Sequence, residues 1–264
     1  MSRTSLTKLL KMKQQGEKIT SLTAYDASFA LLMEQAGIDI ILVGDSLGMV
    51  IQGKESTVPV SMDEMVYHTR NVSRKTNTSM IMADLPFASA YTPEVAYQNA
   101  ARLMAEGEAQ IVKIEGGRVM LKTIAYLSER GIPVCAHLGL LPQSVYKLGG
   151  YKVQGKDHES AKQIINEAAL MEDAGADIVL LECVPKTLAT EISKQLTIPV
   201  IGIGAGNGCD AQVLVCYDML GITDGGGPSF SQNFLRDTGS VLAAFEAYKK
   251  AVKSGQFPSD QQAF

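Results

Sequence analysis

Three carboxylates stand where short apolar runs of this chain stop. Asp45 follows Ile40–Val43, Asp84 follows 80–83, and Glu115 follows 111–114. If these runs are neighbouring strands, the acids converge, and mutual repulsion raises their pKa values unless a cation sits among them. All-oxygen donors favour a hard ion, and a site with few protein ligands suits Mg2+, which keeps waters that a bidentate substrate can displace. Zn2+ is disfavoured, because only His137 of the three histidines lies near the end of such a run. Helix N-capping is the alternative role for each acid, and Asp26 reads as a cap rather than a functional residue.

Other run ends carry further chemistry. Lys113 and Glu115 are two residues apart, so a strand puts both on one face, and Cys135 and His137 share that relation. Charged side chains ending a buried strand are costly unless they serve one another or a ligand. Lys113 either pairs with an acid or sets a fixed positive charge against a substrate carboxylate or a developing enolate. His137 is neutral at pH 7 by default, with a backbone carbonyl as its simplest partner. Glu182 closes the run 178–181 ahead of Cys183, Val184 and Pro185. It is a candidate general base or acid, with a salt-bridged strand end as the alternative. Tyr25, Ser46 and Gly204 occupy other ends.

Two loops could complete a site. Residues 138–157, with Gly139, Gly149, Gly150 and Gly155 around Tyr146 and Tyr151, are too many for a plain connection and could cover a substrate. Residues 202–208 could approach a phosphate with their amides, although glycine there also simply permits tight turns.

These residues need strands to carry them. Helix-period segments that end at Gly37, Gly107 and Gly175 are each followed by an Ile/Val-rich run ending on an acid, the pattern of βα units with glycine C-caps. Thr92-Pro93-Glu94 opens one helix and Asp157 caps another. Strand candidates are Ile19–Thr23, Ile40–Val43, 80–83, 111–114, 134–136, 178–181, Val200–Ile203 and, weakest, 219–222. Eight such runs predict an α/β fold, a (β/α)8 TIM barrel, whose active site forms where the strands end. A doubly wound sheet is the competitor, but Gly202-Ile-Gly204-Ala-Gly206 lacks the third glycine of a dinucleotide fingerprint. With no linker in the chain, residues 1–264 are expected to form one domain, with an extra helix in front, a C-terminal helix near 240–252, and a loosely held polar tail, 254–264.

Composition narrows the partners. The 264 residues are 46% hydrophobic and 20% charged, ordinary for a globular chain. A formal charge of −4 without a basic block interleaved with aromatics argues against nucleic acid. Lysines interrupt the apolar residues of 1–16, which therefore lack a signal-peptide core, and no run is long enough to span a membrane. Cys135, Cys183, Cys209 and Cys216 form no C-x-x-C pair and read as reduced, buried thiols. A cytoplasmic protein is expected.

Several motifs in order add a resemblance. They are Thr23-Ala-Tyr-Asp26, Val43-Gly-Asp-Ser-Leu-Gly-Met49, Ala83-Asp-Leu-Pro-Phe87, Val112-Lys-Ile-Glu-Gly-Gly117, His137-Leu-Gly-Leu140, Pro142-Gln-Ser144, Gly149-Gly-Tyr-Lys-Val-Gln-Gly155, Leu181-Glu-Cys-Val184 and Ile201-Gly-Ile-Gly-Ala-Gly206. Together they resemble the ketopantoate hydroxymethyltransferase family of the pantothenate pathway. The resemblance implies a (β/α)8 barrel, a homo-oligomer that is typically a decamer, and transfer of a hydroxymethyl group from 5,10-methylenetetrahydrofolate to 3-methyl-2-oxobutanoate with Mg2+. It implies Asp45 and Asp84 as metal ligands, with Glu115 in or just outside that shell. It further implies Ser46, Lys113, Asp45 and Asp84 as binders of the 2-oxo acid, His137 as a substrate-side contact, and Glu182 as proton acceptor. One departure is Ser229 in Gly225-Gly-Gly-Pro-Ser-Phe230, where a basic residue is expected. Two rivals are another Mg2+-dependent lyase or mutase of 2-oxo acids, and a non-catalytic metabolite-binding barrel. Intact acids at all four positions weigh against the second.

Overall fold

Eight strands pair in parallel and in chain order: β1 (Ile19–Thr23), β2 (Ile40–Val43), β3 (Met80–Asp84), β4 (Ile111–Glu115), β5 (Val134–Gly139), β6 (Ile178–Glu182), β7 (Val200–Ile203) and β8 (Ala211–Leu214). Ile19 of β1 sits opposite Ala211 of β8, so the sheet closes on itself as the (β/α)8 barrel expected from the sequence. This computed structural model describes residues 3–264; Met1 and Ser2, where the expected N-terminal stretch and single domain both begin, lie outside the described residues.

Helices follow the strands around the outside. They are α1 (Leu6–Gln14) ahead of the barrel, α2 (Ala27–Ala36), α3 (Leu47–Val50), α4 (Met62–Ser73), α5 (Pro93–Ala105), α6 (Leu121–Ser128), α7 (Val145–Leu148), α8 (His158–Asp173), α9 (Lys186–Gln195), α10 (Cys216–Leu220) and α11 (Val241–Lys253). Their starts carry the capping chemistry read from the sequence. Asp26 accepts from the amides of Ser28 and Phe29, Thr92 from that of Val95 with Pro93 in the first turn, and Asp157 from that of Ser160. Among the described residues no helix is long and apolar enough to cross a membrane. All four cysteines are free and buried.

Strand alternation divides the core in two. Outward residues such as Ile41, Ile81, Val112, Ala136 and Val179 pack beneath the helices. Inward residues form a second cluster with Ile40, Leu42, Met80, Met82, Ile111, Cys135, Ile178 and Leu180. Helix α1 plugs the lower end of this inner cluster with Leu9 and Met12, and Lys13 anchors it to Asp210 at 2.7 Å. Burying a leucine of this kind contributes about 1.5–3 kcal/mol.

Climbing each inward row, apolar residues give way to polar ones. Met80 and Met82 lead to Asp84, Ile111 leads to Lys113 and Glu115, Cys135 leads to His137, and Ile178 and Leu180 lead to Glu182. The sheet therefore lifts its charges to one end, the end at which strands stop.

The structure corrects three expectations. Strand β8 is Ala211–Leu214, not 219–222, because Met219 and Leu220 belong to the buried side of α10. Gln212 interrupts the apolar run of β8, yet its side chain is buried and donates to the carbonyl of Gly206 at 2.9 Å. Gly107 is not a left-handed cap: the positive φ of that turn falls on Glu108, and Gly107 is needed because a Cβ there would lie 2.6 Å from the carbonyl of Leu103. Nor is the segment 254–264 loosely held, since Phe257 is buried, Asp260 pairs with Lys186 at 2.7 Å, and the Phe264 carbonyl accepts from the Lys186 amide at 2.8 Å.

Candidate active site

The charged ends meet in one cavity of about 930 Å3, lined among others by Asp45, Ser46, Asp84, Lys113, Glu115, His137 and Glu182. Each residue that the resemblance implies for the site faces it, whereas Tyr25 and Gly204, at other run ends, do not line it. Register explains the gathering: Asp84 is level with Lys113, Glu115 with His137, and Gly139 with Glu182. Asp45, Asp84, Lys113, Glu115 and His137 are all buried, so each must be answered by a partner.

Lys113 is the hub. Its Nζ lies 2.9 Å from Asp84 Oδ1, 3.3 Å from His137 Nδ1 and 3.7 Å from Glu115 Oε1. Burial would discharge the ammonium, but the charges of Asp84, Glu115 and Asp45 outweigh it and raise its pKa. Burial raises the carboxyl of Asp45 well above its usual range, and the charges of Asp84 and Glu115 push the same way. Asp84 is also raised by burial, with Lys113 opposing. Glu115 ends lower than usual, because hydrogen bonding and charge from His137, with Lys113, overcome its burial.

His137 departs from the neutral imidazole expected by default. Burial and Lys113 press it towards neutrality, yet Glu115 and Glu182 hold it up at about 9. Its Nδ1 is 3.3 Å from Glu115 Oε1, and its Nε2 is 3.3 Å from Glu182 Oε2. Glu182 itself is half-buried at the cavity wall, where Cys183 follows in a left-handed conformation, φ 48°.

Two residues support these groups, Gln143 from the Pro142-Gln-Ser144 motif and Tyr25 from a run end. Gln143, in the long loop after β5, donates its side-chain amide to Asp45 Oδ2 at 2.8 Å and to the carbonyl of Leu85 at 3.0 Å, and its backbone N–H to Glu115 Oε2 at 3.0 Å. The length of that loop and the Pro142-Gln-Ser144 motif both point to this stretch. Tyr25, buried, shares a 2.8 Å hydrogen bond with Ser46 Oγ and so fixes that hydroxyl beside the acids.

The donor set fits a hard cation. At the strand ends the carboxylates of Asp45, Asp84, Glu115 and Glu182 outnumber Lys113 and His137, and Glu55, Asp218 and Asp224 against Lys54 add to the negative excess of the lining. Asp84 Oδ1 and Glu115 Oε1 are buried and lack a well-aligned hydrogen-bond donor, though Lys113 Nζ stands 2.9 and 3.7 Å from them and His137 Nδ1 3.3 Å from the latter. Among the described residues no three acidic, histidine or cysteine side chains converge as a ready metal cage. Mg2+ needs only one or two carboxylates, since it keeps several waters, and Asp45 and Asp84 are adjacent: the Asp45 amide donates to Asp84 Oδ2 at 3.0 Å.

Comparison with known proteins is consistent with this architecture. A family profile described as ketopantoate hydroxymethyltransferase matches residues 3–260. A protein from Nitrosococcus oceani named 3-methyl-2-oxobutanoate hydroxymethyltransferase is 60% identical over 258 residues, covering 98% of both chains. One of the same name from Shewanella sp. (strain MR-7) is 54% identical over the full length of both. Among solved structures, a putative lyase/mutase from Burkholderia cenocepacia superposes with TM-score 0.64 at 15% identity, over 98% of this chain and 97% of the other. A phosphonopyruvate hydrolase superposes with TM-score 0.62 at 15% identity, over 81% of this chain and 80% of the other. Likeness at that identity concerns the fold alone.

Proposed function

The chain belongs to the ketopantoate hydroxymethyltransferase family, and on that premise we propose that it moves a hydroxymethyl group from 5,10-methylenetetrahydrofolate to 3-methyl-2-oxobutanoate, with Glu182 as base. The observation that carries this reading is the placement of a half-buried Glu182 in one cavity with Lys113 and the acids Asp45, Asp84 and Glu115.

Ser46 and Lys113 bind the carboxylate and keto oxygens of the oxo acid, Ser46 held by Tyr25. Asp45 and Asp84, with Glu115 beside them, would hold Mg2+, whose chemistry there is Lewis-acid polarisation of the keto group. Glu182 takes the proton from C3, and His137, 3.3 Å away, orients that carboxylate. Lys113 stabilises the negative charge that develops on the oxo acid, acting from a buried position where a fixed charge is strong. The C3 carbon then bonds to the donor's methylene carbon, presented as an iminium on the folate or as formaldehyde that water has released from it. Both C–N bonds of that carbon break, water supplies the hydroxyl oxygen, and the proton from C3 with the two from water end on the two folate nitrogens and the new hydroxyl. The products are ketopantoate and tetrahydrofolate.

The test is product formation from the two substrates with Mg2+ and then with a chelator. Ketopantoate that forms with the metal and stops with the chelator is the expected result. Folded protein that forms none from these substrates would overturn the reading.

A further inference from the structure

A cavity of about 930 Å3 is of the size that holds a drug-sized ligand, on the order of 300–1,000 Å3. A five-carbon oxo acid leaves most of it empty. Its polarity is also divided: the strand-end acids, Lys113 and His137 form the buried end, whereas Met49, Tyr151, Ile222, Phe230 and Phe264 bring apolar surface to a more open wall that also carries Lys54, Glu55 and Asp224.

Two of these wall residues are built into place. Phe230 and Phe264 meet edge to face, with ring centroids 6.4 Å apart and planes at 74°. Both rings lean on Gly204, where a Cβ would come within 2.9 Å of Phe230 Cδ1 and 3.1 Å of Phe264 Cε2, and where φ is +58°. Only glycine accepts that conformation and that approach without strain. Gly204 directly follows Ile203, which is level with Glu182 in the pairing of β7 and β6. The aromatic pair therefore stands one residue beyond the strand end that neighbours the base. Phe264 is fixed there through its carbonyl and the Lys186 amide, 2.8 Å apart. The residue as a whole is 41% exposed and lines the cavity.

We propose that Phe230 and Phe264 form the platform for the flat heteroaromatic ring of the one-carbon donor, with Gly204 as the spacer that sets their approach. This rests on the reading above that the donor is a folate. A conjugated ring too large for the charged end gains stacking and apolar contact on this wall, and it would hold the donor's methylene carbon facing C3 of the oxo acid.

The test uses Phe230→Ala, Phe264→Ala and the bulk-preserving Phe230→Leu in the full chain. Two readouts separate the two ends of the cavity. Exchange of the C3 hydrogen of 3-methyl-2-oxobutanoate with D2O, followed by NMR without donor, reads Glu182 and the charged end. The KM for 5,10-methylenetetrahydrofolate and the Kd for tetrahydrofolate read the wall. Each alanine variant is expected to raise donor KM and tetrahydrofolate Kd about tenfold, the scale of losing one aromatic stacking partner. C3 exchange and the KM of the oxo acid stay near wild type, and Phe230→Leu lies between. Donor KM unchanged in both alanine variants, or exchange falling in parallel with transfer, would overturn the platform. A wild-type enzyme that neither exchanges C3 hydrogen nor makes product would overturn the function reading and the platform with it.

Discussion

The side-chain amide of Gln143 donates to Asp45 Oδ2 at 2.8 Å, tying the loop after β5 to the end of β2 on the facing side of the cavity. The backbone of the same residue donates to Glu115 Oε2. One loop residue therefore aligns two of the three acids, and the loop can take its place over the cavity only while those acids are in theirs.

Gln143→Ala removes the donor to Asp45 but keeps the backbone bond to Glu115. Loss of a group that orients a metal-binding side chain typically costs about 10–100-fold in metal affinity or activity. The variant should need that much more Mg2+ for half-maximal activity, with little change in melting temperature because the loop is near the surface. A Mg2+ titration identical to wild type would show that Gln143 merely packs the loop.

Glu182→Gln should retain binding of the oxo acid while losing about 100- to 10,000-fold in turnover, the usual contribution of a positioned base. Shape is conserved and the proton acceptor is lost. Calorimetry with the oxo acid and Mg2+ separates the two effects; lost binding would mean that Glu182 holds substrate rather than its proton.

Much of this site can be read from single strands, because a period of two places Lys113 with Glu115 and sets apolar residues beneath them. The eight-run pattern then forces their ends together. The rest has a different physical basis. Gln143 acts from a loop, where no periodicity marks a side chain that reaches another strand. Strand β8 is hidden in the pattern because buried Gln212 reads as polar while its hydrogen bond to Gly206 satisfies it within the barrel. The segment 254–264 looks soluble by composition, yet two phenylalanines anchor it, Phe257 buried below and Phe264 against Gly204.

Glu34, near the end of α2, gathers the amides of Asn77, Thr78 and Ser79 and the hydroxyls of Thr78 and Ser79 just ahead of β3. Burial alone would raise its pKa, but these hydrogen bonds outweigh it and hold the carboxyl below its ordinary 4.5. Because the folded value is the lower one, this stability is present in full above the unfolded value and disappears as pH falls through the folded one. Glu34→Gln should therefore melt below wild type at neutral pH, and the gap should narrow below about pH 4.5. Calorimetric scans of both proteins across that range check it; a gap independent of pH would place the effect in packing rather than charge.

Asp84 faces Lys113 on one oxygen and accepts the Asp45 amide on the other, so its charge is shared between an ion pair and the proposed metal position. Asp84→Asn keeps an acceptor for that amide and nearly the same volume. It also removes one of the charges that press on Asp45. Lys113 keeps Glu115 within 3.7 Å, so the ammonium is not left alone. These changes oppose each other in stability, and the melting temperature should move little. Mg2+ has no such compensation, because a neutral amide replaces a charged ligand. Since losing a mere supporting group costs about 10–100-fold, Mg2+-dependent binding of the oxo acid should weaken by at least that much. Calorimetric titration of the oxo acid with and without Mg2+ measures the difference directly. If Asp84→Asn keeps the full Mg2+ dependence, the metal position does not include Asp84, and the carboxylate serves Lys113 alone.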